Sequence, residues 1–347
     1  MRELFSFFLM KQAAIITHGE DTDGIVASAL LTRFLVQQLN YPEPVIYPLH
    51  YFGLRNSITQ ITSLITEKDV YVLDLNLADL FKEPEVFSSL ADSASNLTVI
   101  DHHPGTIQYA IDLLNKGVYT FFPGNFGNKP ICTSGLVHHY FLSNSSYAKW
   151  LSGSAQANDF ADMLEFPSEQ LRMGEDIQSC INHYLVNEKE KGLIGFINTL
   201  STGACFSVNT FNKEYTEFLQ GCRQKEQDEF SNMLRNREEL NLRGKYVTVS
   251  FCSLRLSPKQ SVRYLLEKSS SEVGMSLNFR PTEVTVLKRN TFDFNVSNFC
   301  RLMGGGGREV IGGFRTPEKL TSETYPAFKN QVLERLNDYL SYSEFSK

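Results

Sequence analysis

The sequence predicts an α/β protein: an N-terminal domain built on a doubly wound parallel sheet, and a smaller C-terminal α/β domain joined to it by a helical connector. Three observations predict this. Strand-like and helix-like segments alternate from residue 13 to about 160, as in a parallel sheet with crossover helices. Three short, nearly all-apolar runs there each end in carboxylate or imidazole, as buried parallel strands do when their carboxyl ends carry a site. Strand signals then fade over about 167–242 and resume at 245.

In chain order, 13–17 reads as a strand and 24–39 as a helix, followed by a strand at 45–49 and a helix over 56–66. Strands follow at 70–75 and 97–100, then 119–122, and a helix over 134–142 entered through Pro130. Residues 214–239, rich in Glu, Gln, Lys and Arg with apolar residues at helical spacing, read as a long helix. The second domain reads as strand 245–251, helix 262–268, strands 274–279 and 284–288, helix 296–303, a run of four glycines, and a final helix over 323–342. The divisions expected are therefore 1–165, 166–242 and 243–347, and no internal repeat is visible.

Composition excludes several classes. With 42% apolar and 21% charged residues the chain is an ordinary globular one and not a disordered one. The apolar run at 4–10 is too short for a membrane span and lacks a cleavage pattern, so it reads as part of the core, with a cytoplasmic protein and no membrane partner as the expectation. The six cysteines show no C-x-x-C spacing, which argues for reduced, buried thiols and against a zinc finger. The net charge of −6 conceals an asymmetry: between Asn241 and Arg315 there are 12 Lys and Arg against 5 Asp and Glu, so this basic stretch sits in an acidic remainder. That division suits an anionic substrate held by one part and metal ligands supplied by the other, although an uneven solvated surface would look the same.

The chemistry gathers at the ends of the apolar runs. They carry His18, Asp21 and Asp23, then Asp74, then Asp101, His102 and His103. Carboxylate oxygen suits hard divalent cations and imidazole shifts the preference toward Mn²⁺, Fe²⁺, Co²⁺ or Zn²⁺; several Asp, a few His and no Cys put Mn²⁺ first, with Mg²⁺ or Co²⁺ next. Two cations need a bridging carboxylate and terminal ligands on either side, and seven such groups suffice. Any one of them alone has a plainer use, since Asp after a strand commonly caps a helix and a lone His is commonly a scaffold group. Seven on three strand ends argue for a site.

The triplet Asp101-His102-His103, the earlier His18-x-x-Asp21-x-Asp23-Gly24 and the isolated Asp74 resemble the motifs of the DHH phosphoesterase superfamily, which includes RecJ-like exonucleases, nano-RNases and cyclic-dinucleotide phosphodiesterases. Residues 296–313, with Gly304, Gly305, Gly306, Gly307 and Arg308, resemble the glycine-rich signature of the DHH-associated substrate-binding domain. The resemblance covers most of the chain outside about 165–242. It implies that His18 and Asp21 hold one cation, that Asp23 and His102 hold the second with Asp159, and that Asp74 bridges them; Asp162 is the fallback for Asp159. It implies further that His103 faces the substrate phosphate, that Asp101 orients the histidines, and that Gly304 to Gly307 with Arg308 bind substrate. One departure is explicit: the family's glycine loop usually continues with histidine, and here Arg308 stands there. Arginine can grip a phosphate through paired N–H donors but cannot shuttle a proton near neutral pH.

The implied activity is two-metal hydrolysis of short single-stranded oligonucleotides to nucleoside monophosphates. Hydrolysis of a small phosphorylated nucleotide, whether a cyclic or linear dinucleotide or a 3′-phosphonucleotide, is the alternative, as is a non-catalytic nucleotide binder. No P-loop pattern is present, which argues against an ATP-driven activity. Gly304 to Gly307 read equally as an anion nest or as a turn, the nearby Arg280, Lys288, Arg289, Arg301, Arg308 and Arg315 favouring the nest. Phe279, Phe292, Phe294 and Phe299 read as core before base-stacking residues, and His138, His139 and His183 as structural. His50 reads as structural too, with a place lining the cleft after its strand as the alternative, and the sequence leaves room for a homodimer.

Overall fold

A computed structural model of the chain describes residues 11–50, 53–77, 84–123, 130–161, 163–187, 190–252, 256–279, 282–315 and 323–345. The expectations for 4–10, Asp162 and Arg280 lie outside these residues. The chain divides into two compact units, Met1–Phe218 and Leu219–Lys347.

The first unit is built on five parallel strands, β1 (Ala13–His18), β2 (Val45–Leu49), β3 (Asp69–Leu73), β4 (Asn96–Ile100) and β5 (Tyr119–Phe121), in the order β2-β1-β3-β4-β5. Every residue of β1 is buried, as a central parallel strand covered on both faces requires. Ala14 and Ile16 face a core shared with Val70, Val72, Leu97 and Val99 and with helices α2 (Leu54–Thr62) and α3 (Pro84–Ser93). The other face carries α1 (Thr22–Gln37), buried from Thr22 to Thr32. That helix packs against α6 (Thr133–Phe141), α7 (Ser146–Phe160) and α9 (Glu190–Thr202) after the short α4 (Pro104–Ile107) and α5 (Ala110–Asn115). A helix buried all round must be apolar all round, and the Ile25 to Leu31 run is. Helix α8 (Ser168–Val186), the hairpin β6 (Phe206–Ser207) and β7 (Thr210–Phe211), and the long α10 (Lys213–Arg235) follow.

The second unit holds a mixed six-stranded sheet, β12-β13-β11-β10-β9-β8, parallel only between β9 (Lys245–Cys252) and β10 (Val273–Phe279). Its remaining strands are β8 (Glu238–Leu242), β11 (Thr282–Lys288), β12 (Gly306–Gly307) and β13 (Ile311–Arg315). Helices α12 (Val296–Leu302) and α13 (Tyr325–Phe345) pack Phe299, Val332 and Leu336 onto one face, and α11 (Pro258–Glu267) packs Val262 and Leu266 beside Leu287 and Ile311.

The structure departs from the sequence reading at 236–242. The predicted helix ends at Arg235, and Glu238–Leu242 forms an edge strand turning into β9 through Arg243 (φ 52°) and Gly244 (φ 77°). Two consecutive left-handed residues make the tight hairpin turn whose twist matches the flanking strands. Glutamates on a half-exposed edge strand imitate a polar helix face, which is why composition misled.

At the amino end of β3, Asp69 accepts from the Tyr41 hydroxyl (2.5 Å) and Asn96 Nδ2 (2.6 Å), with Lys11 Nζ at 3.6 Å. Burial alone would raise its carboxyl, but the Asn96 and Tyr41 hydrogen bonds and the Lys11 ammonium outweigh it and hold the group below the usual carboxylate range. A folded value below the unfolded one stabilises at pH above about 4 and stops doing so as pH falls through the folded value. Asp69→Asn is therefore expected to lower the melting temperature at pH 7 and to lose that deficit under acid, as a pH series of thermal melts would show.

Candidate metal centre

In the order β2-β1-β3-β4-β5, the connections after β1 and β3 leave toward opposite faces, so a crevice opens at their carboxyl ends. His18 closes β1, Asp74 follows β3, and Asp101, His102 and His103 follow β4, so sequence-distant groups meet on three adjacent strand ends.

Each group has a local reason for its position. Gly19 turns the chain where a Cβ would meet Pro48 Cβ at 2.9 Å. Asp21 caps α1, its Oδ1 accepting from Gly24 N at 3.0 Å, so the capping use holds and still leaves Oδ2 toward His18 Nδ1 at 3.0 Å. Gly24 is required because any Cβ there would sit 2.2 Å from the His18 carbonyl oxygen. Asp74 lies at φ 55°, a left-handed conformation uncommon outside glycine and typical of functional sites, and its N–H donates to Ile100 O at 3.1 Å. Asp101 Oδ1 accepts from the backbone N–H of His102 (2.8 Å) and His103 (3.3 Å) and from His103 Nδ1 (2.7 Å).

Asp74 is the shared member. Its Oδ2 lies 3.8 Å from His18 Nδ1, while its Oδ1 lies 3.4 Å from His102 Nε2 and 3.9 Å from His103 Nδ1. Two groups of ligand atoms result, His18 with Asp21 and Asp74, and Asp74 with His102 and His103. An octahedral shell at about 2.1 Å sets neighbouring ligand atoms roughly 3 Å apart and opposite ones roughly 4 Å apart. The His18–Asp21, His102–Asp74 and His18–Asp74 spacings of 3.0, 3.4 and 3.8 Å fall in that interval, so these donors fit divalent cations.

Electrostatics agree with that fit. Asp74 is 1% exposed and Asp23 3%. Burial first, and then the Asp74 charge, push Asp23 up to about 7. Burial alone would raise Asp74 too, but hydrogen bonds from His102 and His18 reverse this and hold it well below the carboxylate range. Burial would lower His102, but its bond to Asp74 outweighs that and lifts it to about 10. The protein groups alone thus retain protons at neutral pH that a cation would displace.

Sequence reasoning missed what holds Asp23 and Asp74. Thr133 N and Ser134 N, at the start of α6, donate to the two oxygens of Asp23 at 2.7 and 2.8 Å, and Thr133 Oγ1 donates to Asp74 Oδ1 at 3.0 Å. A helix N-terminus is a natural seat for a carboxylate. Asp23 belongs to neither ligand group, while His103, expected only to face substrate, belongs to the second. Asp159, near the end of α7, makes itself felt by raising both Asp23 and His102, and the adjacent Phe160 ring lies 5.9 Å from that of His102.

In the second unit the four glycines are used by the backbone. A Cβ on Gly305 would lie 2.1 Å from Gly313 O, and one on Gly307 2.3 Å from Gly312 Cα, because β12 pairs with β13 there. Two of the expected anion-binding cations are committed elsewhere: Lys288 Nζ donates to Phe292 O and Glu309, and Arg289 to the Leu266, Ser269 and Ser271 carbonyls. Phe292, Phe294 and Phe299 are core.

No protein-family model and no curated protein matches the sequence. Solved structures do match. RecJ from Thermus thermophilus, in complex with Mn²⁺, aligns with a TM-score of 0.58 at 14% identity, over 93% of this chain and 51% of RecJ. The pGpG-specific phosphodiesterase PggH from Vibrio cholerae aligns at 0.52 and 12% identity, over 95% of this chain and all (100%) of PggH. An exopolyphosphatase-related protein from Bacteroides fragilis aligns at 0.50 and 14% identity, over 96% of this chain and 94% of its own. These likenesses show that the chain shares its fold with RecJ, PggH and the exopolyphosphatase-related protein. Among the described residues no helix is long and apolar enough to cross a membrane.

Asp74→Asn is expected to weaken Mn²⁺ binding at both groups by more than about 100-fold. Titration calorimetry of the unsubstituted protein should show protons released at pH 7 and affinity rising with pH, because Asp23 and His102 must ionise and deprotonate to admit the cation.

Proposed function

We propose that this chain is a DHH-type phosphodiesterase that uses two divalent cations, Mn²⁺ foremost, to hydrolyse short single-stranded oligonucleotides to nucleoside monophosphates. The observation that carries this is the division of Asp74, whose two oxygens each serve a separate group of imidazole and carboxylate ligands. Bound at such a pair of sites, divalent cations supply a water-derived nucleophile at neutral pH and neutralise the phosphate oxygens. His18, Asp21 and Asp74 would hold one, and Asp74 and His102, with Asp23 and Asp159, the other.

The remaining groups act around that pair. Asp101 accepts the Nδ1 proton of His103 and so presents Nε2 outward, and His103, the more exposed of the pair at 29% of its side chain, is placed to meet a substrate phosphate. Thr133 and Ser134 keep Asp23 and Asp74 aimed without adding charge. We assign catalysis to 1–165 and substrate binding to 243–347, with 166–242 connecting them. In the latter, Gly304 to Gly307 and Arg308 are proposed to hold a substrate anion.

Full coverage of a pGpG-specific phosphodiesterase, against half of RecJ, supports a substrate of few nucleotides. It gives a linear dinucleotide the first place among small-nucleotide substrates. Purified protein with Mn²⁺ is to be given a labelled linear RNA dinucleotide, a cyclic dinucleotide and a 3′-phosphonucleotide. The expected result is conversion of the linear dinucleotide to two monophosphates, with KM raised in Arg308→Ala. Tight binding of any of the three without turnover would establish the non-catalytic reading instead.

A further inference from the structure

Glu20 belongs to neither ligand group, yet it sits against one of them. Its Oε2 lies 3.3 Å from His18 Nε2, while the opposite ring nitrogen, Nδ1, faces Asp21 Oδ2 at 3.0 Å and Asp74 Oδ2 at 3.8 Å. A neutral imidazole has one N–H and one lone pair, and a carboxylate can accept only from the N–H. We infer that Glu20 is a positioning residue that holds the His18 proton on Nε2 and so turns Nδ1, with its lone pair, toward the metal.

With a cation held by Asp21 and Asp74, the opposite tautomer would be disfavoured on both sides of the ring. It would set the Nε2 lone pair against the Glu20 carboxylate and point a proton at the place where Asp21 and Asp74 converge. An outer carboxylate that fixes the tautomer of a ligating histidine also raises its basicity.

Glu20 is itself fixed at three points. Its Oε1 meets His50 Nδ1 at 3.0 Å, and its backbone carbonyl accepts from Gln178 Nε2 at 2.9 Å. Gln178, 2% exposed on α8, also accepts from Thr22 N and Thr22 Oγ1, both at 3.0 Å, and donates to Asn182. Helix α8 thus pins the loop between β1 and α1, and His50 braces the carboxylate from the outer side. This gives His50, half exposed after β2, a role in supporting the centre rather than in ligation.

The inference rests on the metal reading of the site and is independent of which substrate is cleaved. In Glu20→Gln, which keeps the shape and removes the charge, one of the two Mn²⁺ sites should weaken by about 10–100-fold while the circular dichroism spectrum shows the fold retained. The second measurement needs no variant: imidazole ¹⁵N shifts at pH 9 with Mg²⁺ bound should show the His18 proton on Nε2. Equal Mn²⁺ affinity in Glu20→Gln, or a proton on Nδ1, would overturn the role of Glu20. A wild type that binds no Mn²⁺ would instead sink the proposed function, and the role of Glu20 with it.

Discussion

Two carboxylates buried side by side, Asp23 and Asp74, set the constraint that the rest of the first unit satisfies. Neither can reach water, and their mutual repulsion together with burial holds Asp23 near 7. Removing charge from water is costly unless it is paired and hydrogen-bonded, so the surroundings supply donors from every side. Imidazoles approach Asp74 from β1 and β4, and the Thr133 hydroxyl comes from α6. Backbone N–H groups at the start of the same helix take both oxygens of Asp23. Retained protons on Asp23 and His102 meet the charge that remains, and a divalent cation would displace them.

The fold makes this arrangement possible by chain order. Because β3 lies between β1 and β4, the residue after β3 has a histidine-bearing strand end on each side. The left-handed turn at Asp74 directs its carboxylate between them, a strained conformation kept because flanking strands and helices determine it. Asp21 shows how structural and chemical roles coexist, since one oxygen caps α1 and the other faces His18.

Much of this was legible in the residues. The apolar runs ending at His18, Asp74 and Asp101 announced buried strands, because a strand covered on both faces admits almost no polar side chain. The clustering of His18, Asp21, Asp74, His102 and His103 was legible from their places at strand ends. The clamps were not: Thr133 and Ser134 act on Asp23 through backbone N–H groups, which every residue type but proline possesses. Gln178 lies 156 residues from Thr22, and a glutamine on a long helix reads as a solvated face until the chain folds back. The glycine run was legible as a turn, but its use in pairing β12 with β13 depended on Gly312 and Gly313, and so on a contact with no local signature. Glu238–Leu242 misled because an edge strand and a polar helix share the same residues.

The central claim is that one buried carboxylate is shared by two cations. Crystals grown with Mn²⁺ and measured at the manganese absorption edge test it directly. Two anomalous peaks are predicted, one beside His18 and Asp21, the other beside His102, with one oxygen of Asp74 on each. A single peak, or peaks that do not touch Asp74, would contradict the account.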